Sequence, residues 1–230
     1  PVAAQSSLNI DALIGAVEET IETPTRDESK NTVLHVLRSF DINKPGTKIK
    51  NLNGGVIGGS LTQGKFSIGD EIEIKPGLYN EKKKNYQSIH TEIVSLGTGA
   101  GIVDVVKPGG LVAIGTKLDP SVTRSDSLIG SVIGKPDTLP ENSTSTKLQV
   151  HLFDTAVGSA GETKVTPIKV DELLRVSVGT APVPAKVTKI KSDNVEIEFK
   201  RPVCLFEKGS VALSRRIAER WRLIGAGVID

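Results

Sequence analysis

The sequence predicts a mostly β protein: two consecutive β-barrel domains of the same general size behind a short helical piece. Three observations carry that expectation. Glycine and proline supply 23 and 12 of the 230 residues while aromatic residues make up only 3%, which favours short strands and many turns over helical bundles. β-Branched residues recur in short alternating or apolar runs along the chain. A chain of 230 residues also has room for two compact units of about 100 residues, each able to bury a core.

The elements follow in chain order. Asn9 is placed to cap a helix over about residues 9 to 21, whose apolar Ile10, Leu13, Ile14, Val17 and Ile21 share one face and whose first turn carries Asp11. The segment behind it, ETPTRDESKNT, is rich in proline and charge and offers that stripe no cover. Residues 1 to 30 therefore read as the end of an upstream domain plus a linker, and the lack of any methionine agrees with a chain that begins inside a longer protein.

From Val33 the texture changes to VLHVLRSF, EIEIKPG, TEIVSL, GLVAIGT and SLIGSVIG, at the spacing of a small barrel or sandwich, and these set a first domain over residues 31 to 137. The polar stretch GKPDTLPENSTST predicts a linker, bounded at residues 138 to 146, and its sequon Asn142-Ser143-Thr144 belongs to that polar composition. A second β series, KLQVHLF, ELLRVSVG, AKVTKI, NVEIEF, GSVALS and WRLIGAGVID, predicts a second domain over residues 147 to 230.

One stretch stands apart: NGGVIGGSLTQGKFSIGDEIEI, residues 53 to 74, dense in glycine before a clear strand. Glycine inside a strand marks a bulge, a barrel corner, or a place where a backbone or ligand comes close. Two readings stay open. A hairpin turning at Gly64 and returning through Gly69 would close a barrel; a bare groove would let a sugar–phosphate chain lie against main chain.

Several function classes drop out. The single cysteine, Cys204, rules out an internal disulfide, and His35, His90 and His151 show no metal-ligand spacing, so a reducing cytosol and no metal are expected. PVAAQSSLNI has neither the charged nor the apolar region of a signal peptide, and no run is long enough to span a membrane, so the expected location is cytoplasmic. A net charge of +2 is too small to announce a nucleic-acid binder, although 14 Lys and Arg against 10 Asp and Glu place a basic excess between Lys147 and Asp230. No Ser-His-Asp, Cys-His or carboxylate pair stands out and no phosphate-cradling G-x-x-x-x-G-K-[ST] loop occurs, so no catalytic residue is assigned. Asn43-Lys44-Pro45-Gly46 imitates a guanine-specifying Asn-Lys-x-Asp but ends in glycine.

GGVIGGSLTQGKFSIGDEIEI together with KPGGLVAIGTKLDPSVTRSDSLIGSVIG resembles the second, β-barrel domain of translational GTPases. LRSFDINKPGT, GGVIGGS, PGGLVAIGTKLDP and SRRIAERWRLIG narrow the resemblance to the gamma subunit of archaeal and eukaryotic translation initiation factor two, over Val33 to Asp230. RRIAERWRLIGAGVI is also similar to the end of domain three of elongation factor Tu. A fragment of a related elongation-type GTPase, such as the selenocysteine-specific factor, is the alternative, and SFDINKPGT and WRLIG argue for the first.

The resemblance implies domains two and three of a factor that delivers initiator methionyl-tRNA to the small ribosomal subunit in a GTP-dependent complex. It places GTP and magnesium on a nucleotide domain, initiator tRNA between that domain and domain two, the alpha subunit on domain two and the beta subunit on the nucleotide domain. The fragment itself would hold no cofactor and hydrolyse no GTP, and no membrane is implied. Ala3, Ala4 and Gln5 lie where such GTPases carry a Ser-Ala loop against the guanine base, with Ala3 in place of the usual serine.

An acceptor end offers phosphates, 2′-hydroxyls and unstacked bases. The candidates for meeting it are Gly58, Gly59 and Ser60 as bare main chain, with Lys65, Lys117 and Arg124 as phosphate partners. For Arg124 the competing reading is an ion pair with Asp126 or Asp119. YNEKKKNYQS reads as a solvated hairpin tip or as a basic patch with stacking rings. In SRRIAERWR, a hairpin turning near residues 218 to 220 would gather Arg215, Arg216, Arg220 and Arg222 at one tip beside Trp221, there to meet RNA or the ribosome; alternatively Trp221 anchors a core or interface.

Overall fold

A computed structural model describes residues 1–22, 25–158 and 163–230. The helix α1 spans Ile10–Thr20. Asn9 precedes it as predicted but does not cap it: its side chain makes no bond to the helix and its Nδ2 donates instead to the Pro1 carbonyl at 2.9 Å. Leu13, Ile14, Val17 and Ile21 all face solvent, and no residue of α1 is buried.

The first barrel is built from β1 (Val33–Phe40), β2 (Val56–Gln63), β3 (Phe66–Ser67), β4 (Glu71–Asn80), β5 (Asn85–Thr98), β6 (Gly101–Val103), β7 (Val105–Val106), β8 (Leu111–Thr116), the short helix α2 (Pro120–Thr123) and β9 (Val132–Gly134). Strands β4, β9, β1, β2, β8 and β5 are hydrogen-bonded in that order and the ring closes between β4 and β5; β6 is added to β5, while β3 and β7 form a small separate pair. The glycine stretch does not form the expected hairpin: β2 pairs with β1 and β8, β3 with β7, and β4 with β9 and β5, so the chain only bends at the two glycines on its way between non-adjacent strands. Gly64 takes φ +71° just after β2, and Gly69 takes φ +89° just before β4.

The second barrel is closed by β10 (Asn142–Val157), β13 (Asn194–Cys204), β12 (Ala181–Lys191), β11 (Leu173–Val178), β14 (Ser210–Ile217) and β15 (Arg220–Ile229). Alternation builds its core: along β12, Ala181, Val183, Ala185 and Val187 point inward, and Pro182, Pro184, Lys186 and Thr188 point out. β12 meets β13 only from Ala185 onward, so the two prolines, which have no N–H to donate, fall where that side of the strand has no ladder.

Each barrel has its own apolar core, and a third cluster of Val33, Val132, Leu139 and Cys204, with Phe206 against it, fills the seam between them. The linker expected over residues 138 to 146 is largely not one. β10 begins at Asn142, where Asn142 and Ser143 pair with Cys204 and Val203, and Leu139 is buried in the seam. Polar composition suggested a linker because the partner strand lies some sixty residues downstream, out of reach of any local pattern.

Candidate nucleic-acid and subunit interface

The glycine-rich strand β2 lies between β1 and β8 over Val56–Ser60. Its main-chain groups are therefore engaged in ladders on both sides, and Gly58, Gly59 and Ser60 do not offer the free amide donors expected of them. Close packing explains several of the bare positions instead. A Cβ on Gly59 would strike the His35 carbonyl, one on Gly54 the Thr116 carbonyl, and one on Gly55 the Thr123 side chain. Gly58 differs, because a Cβ there would meet only Arg38 Cβ at an ordinary 3.6 Å.

What Gly58 and Gly59 help to make is a floor. With Gly97, Gly99 and Gly101 they line an open groove of about 410 Å³ whose walls are Leu37, Phe40, Ile102 and Leu111. Ile102 and Leu111 are 79% and 68% exposed, a large apolar surface left to water on an otherwise closed barrel. These wall residues escaped the sequence reading, although one signal was present. Leu37 and Phe40 are apolar at outward positions of β1, outside the alternation that fills the core.

The predicted phosphate partners separate into two places. Lys65 follows Gly64 at one end of β2, and Lys117 and Arg124 lie at the Gly55 end, where Thr116 and Thr123 pack on the glycines. The strand's eight residues hold these ends apart by about 26 Å at roughly 3.3 Å per residue. Lys117 Nζ sits 2.7 Å from Glu92 Oε2. The alternative pairing of Arg124 does not form: Asp126 accepts from Arg38 Nε at 2.9 Å and from the Ser39 amide, and Asp119 caps α2 by accepting from the Ser121 amide. These contacts hold both carboxyls below the usual aspartate range, through Ser39 and then Arg38 for Asp126 and through Ser121 for Asp119. Arg124 is exposed and has no ion-pair partner among the described residues.

The arginine cluster also divides. β14 and β15 turn through Ala218 and Glu219, both at positive φ, and the register sets Arg215 opposite Arg222, Arg216 opposite Trp221 and Ile217 opposite Arg220. Directly opposed residues share a face, so Arg215, Arg220 and Arg222 lie on one side of the ribbon and Arg216 with Trp221 on the other. Arg215 is structural. It forks onto Glu172, with Nε to Oε1 at 2.5 Å and Nη2 to Oε2 at 3.2 Å, and donates to Thr166 and to the Pro167 carbonyl. Arg216 pairs with Glu219, leaving Arg220 and Arg222 without ion pairs among the described residues. Trp221 is half-exposed and belongs to no core cluster.

At the amino end, Ala3 and Leu8 form an isolated bridge around a tight turn over Ala4–Ser6, which contains Gln5. Asn43 has a structural task. Its amide group exchanges two hydrogen bonds with the backbone of Asn53, each 2.8 Å, and its N–H donates to Asp41 Oδ1, clamping the loop between β1 and β2. The three histidines stand apart, beside Phe206, Glu73 and Phe153 respectively, and among the described residues no helix is long and apolar enough to cross a membrane.

The chain is similar to known proteins over its whole length. Residues 144–229 match the family model described as initiation factor eIF2 gamma, C terminal. Translation initiation factor 2 subunit gamma of Archaeoglobus fulgidus is 49% identical over 229 residues, covering 100% of this chain and 54% of that protein. The proteins of the same name from Aeropyrum pernix and Pyrococcus furiosus are each 50% identical, over 232 and 231 residues, and each is 56% covered by the whole of this chain. The chain thus spans about half the length of the curated relatives it matches, and the selenocysteine-factor alternative is not favoured by them.

Proposed function

The chain belongs to the gamma-subunit family of translation initiation factor 2, a family of translational GTPases, and we propose that it serves translation initiation as the tRNA- and subunit-binding part of such a factor. The observation that carries this reading is the open apolar groove floored by Gly58 and Gly59. A closed barrel that leaves Ile102 and Leu111 in water presents a docking surface for a protein partner, and the alpha subunit is that partner. The beta subunit engages a nucleotide-binding domain, which also holds GTP and magnesium. This chain, with no phosphate loop in its sequence, does not hydrolyse GTP by itself.

Initiator tRNA meets the same barrel at the Gly55 end of β2, where Arg124 is exposed with no ion pair among the described residues and Lys117 carries a carboxylate it can exchange for phosphate. Arg220 and Arg222, on one face of the β14–β15 ribbon, face the RNA of the small ribosomal subunit.

Calorimetric titration of the chain with the carboxy-terminal domain of an alpha subunit tests the central claim. Saturable binding is expected, and Ile102→Glu with Leu111→Glu is expected to abolish it without moving the melting temperature, since both side chains are exposed. Undiminished binding by that double variant, or none by the parent, refutes the docking site. GTP turnover by the chain alone would refute the functional reading as a whole.

A further inference from the structure

We propose that the tip of the β4–β5 hairpin, together with the notch behind it, binds single-stranded RNA at a place separate from the tRNA and subunit surfaces. Tyr79 and Tyr86 stand directly opposite each other across β4 and β5, with ring centroids 5.4 Å apart and planes tilted by 60°. Tyr79 is 53% exposed, and neither phenol hydroxyl has a hydrogen-bond partner among the described residues. Two adjacent aromatic faces open to water are a platform for bases, sequence-tolerant because every base has a π-face.

The turn beyond the rings is held rather than loose. Asn80 Oδ1 accepts from the amides of Lys82 and Lys83 at 3.0 and 3.1 Å, and its Nδ2 donates to Gln87 Oε1 at 2.8 Å. Lys84 completes the turn at φ +52°. Three consecutive ammonium groups therefore project from an ordered tip, none of them in an ion pair among the described residues, with Glu81 the only carboxylate in the turn. On the side facing the second barrel, a cavity of about 170 Å³ is lined by Tyr79, Tyr86 and, from β13, Arg201, which is half-buried and likewise without an ion-pair or hydrogen-bond partner among the described residues.

Three lysines at the hairpin tip and Arg201 in the notch behind it, all without ion pairs among the described residues, with one carboxylate in the turn and one exposed and one partly exposed ring between them, fit a phosphodiester chain with splayed bases. The bases stack on the tyrosines and the backbone runs past the lysines toward Arg201. An A-form duplex does not fit, because its stacked bases cannot reach the rings.

The test is fluorescence anisotropy of a labelled oligouridylate of about 12 nucleotides with the whole chain, from about 50 to 300 mM KCl. Three to four phosphate contacts predict a slope of log affinity on log salt of about −2 to −3. Lys82→Ala/Lys83→Ala/Lys84→Ala is expected to flatten the slope by about 2 and weaken binding at low salt more than about tenfold. Tyr79→Ala is expected to weaken binding about tenfold while Tyr79→Phe binds like the parent. Failure of the parent to bind at low salt, parent-like affinity and slope in the triple and Tyr79→Ala variants, or equal affinity for an RNA duplex of the same length would each overturn the proposal.

Discussion

Replacing Lys75 by methionine is the perturbation whose size the structure defines best. Lys75 and Glu73 on β4 have side chains only 7% and 5% exposed, with Nζ 3.7 Å from Glu73 Oε1. Nζ also reaches Glu141 Oε1 at 3.0 Å and the Leu139 carbonyl at 3.4 Å, so one ammonium ties the first barrel to the chain entering the second. Methionine preserves most of the apolar stem and removes the charge, which leaves Glu73 buried with only the Asp137 amide, 3.3 Å away, and the nearby His90 ring. Breaking a buried pair in this way costs about 3 to 5 kcal/mol. Glu141 is 94% exposed, so water screens that side of the site and the lower bound, about 3 kcal/mol, applies. In a chain of this size that corresponds to a fall in melting temperature of about 10 °C, measurable by calorimetry at neutral pH.

The charge argument also makes a double-variant prediction. Glu73→Gln with Lys75→Met removes both ions and is expected to recover all but about 1 kcal/mol of the loss. Burial opposes the Lys75 charge, yet Glu141 and Glu73 more than offset it and hold the ammonium above the ordinary lysine range. A folded-state value raised above the unfolded one contributes stability below the unfolded value, about 10.4, and loses it as pH rises through the folded one. The deficit of Lys75→Met is therefore expected to narrow only above about pH 10.5. A single variant within about 0.5 kcal/mol of the parent, or a double variant as unstable as the summed singles, would refute the reasoning.

Other consequences are equally direct. Arg215→Ala, which strips Glu172 of its forked partner at a side chain only 15% exposed, is expected to cost about 3 kcal/mol in urea unfolding, with Arg215→Lys recovering only part of it; Arg220→Ala is expected to stay within about 0.5 kcal/mol. Gly59→Ala drives a methyl into the His35 carbonyl and the Leu34 side chain and is expected to destabilise by about 1 to 3 kcal/mol, whereas Gly58→Ala, with ordinary contact at 3.6 Å, leaves stability nearly unchanged. Burial pushes the Cys204 thiol up to about 11. Alkylation by iodoacetamide at pH 8 is accordingly expected to run about two hundredfold slower than in the urea-unfolded chain, and a rate near the unfolded one would show the seam to be open.

By itself the sequence determined the class, the barrel strands and the family. VLHVLRSF becomes β1 residue for residue, and the chain bends at Gly64 and Gly69, both at positive φ where glycine is comfortable, although the strands flanking those bends do not pair with each other. Alternation and turn chemistry act over two to four residues, so they are visible in a linear string. Tertiary structure decided what each candidate side chain does. Asp126 bonds to Arg38, 88 positions away, and so leaves Arg124 free; Glu172 claims Arg215, 43 positions away, and so divides the basic cluster. The engagement of β2 on both sides, the pairing that makes strand out of the polar 142–146 stretch, and the apolar groove walled by three separate strands and the loops beside them likewise arise only when distant segments meet. Ion pairing and ladder partnership depend on distance in space, and a charge's place in the chain does not specify which opposite charge will lie within about 4 Å of it.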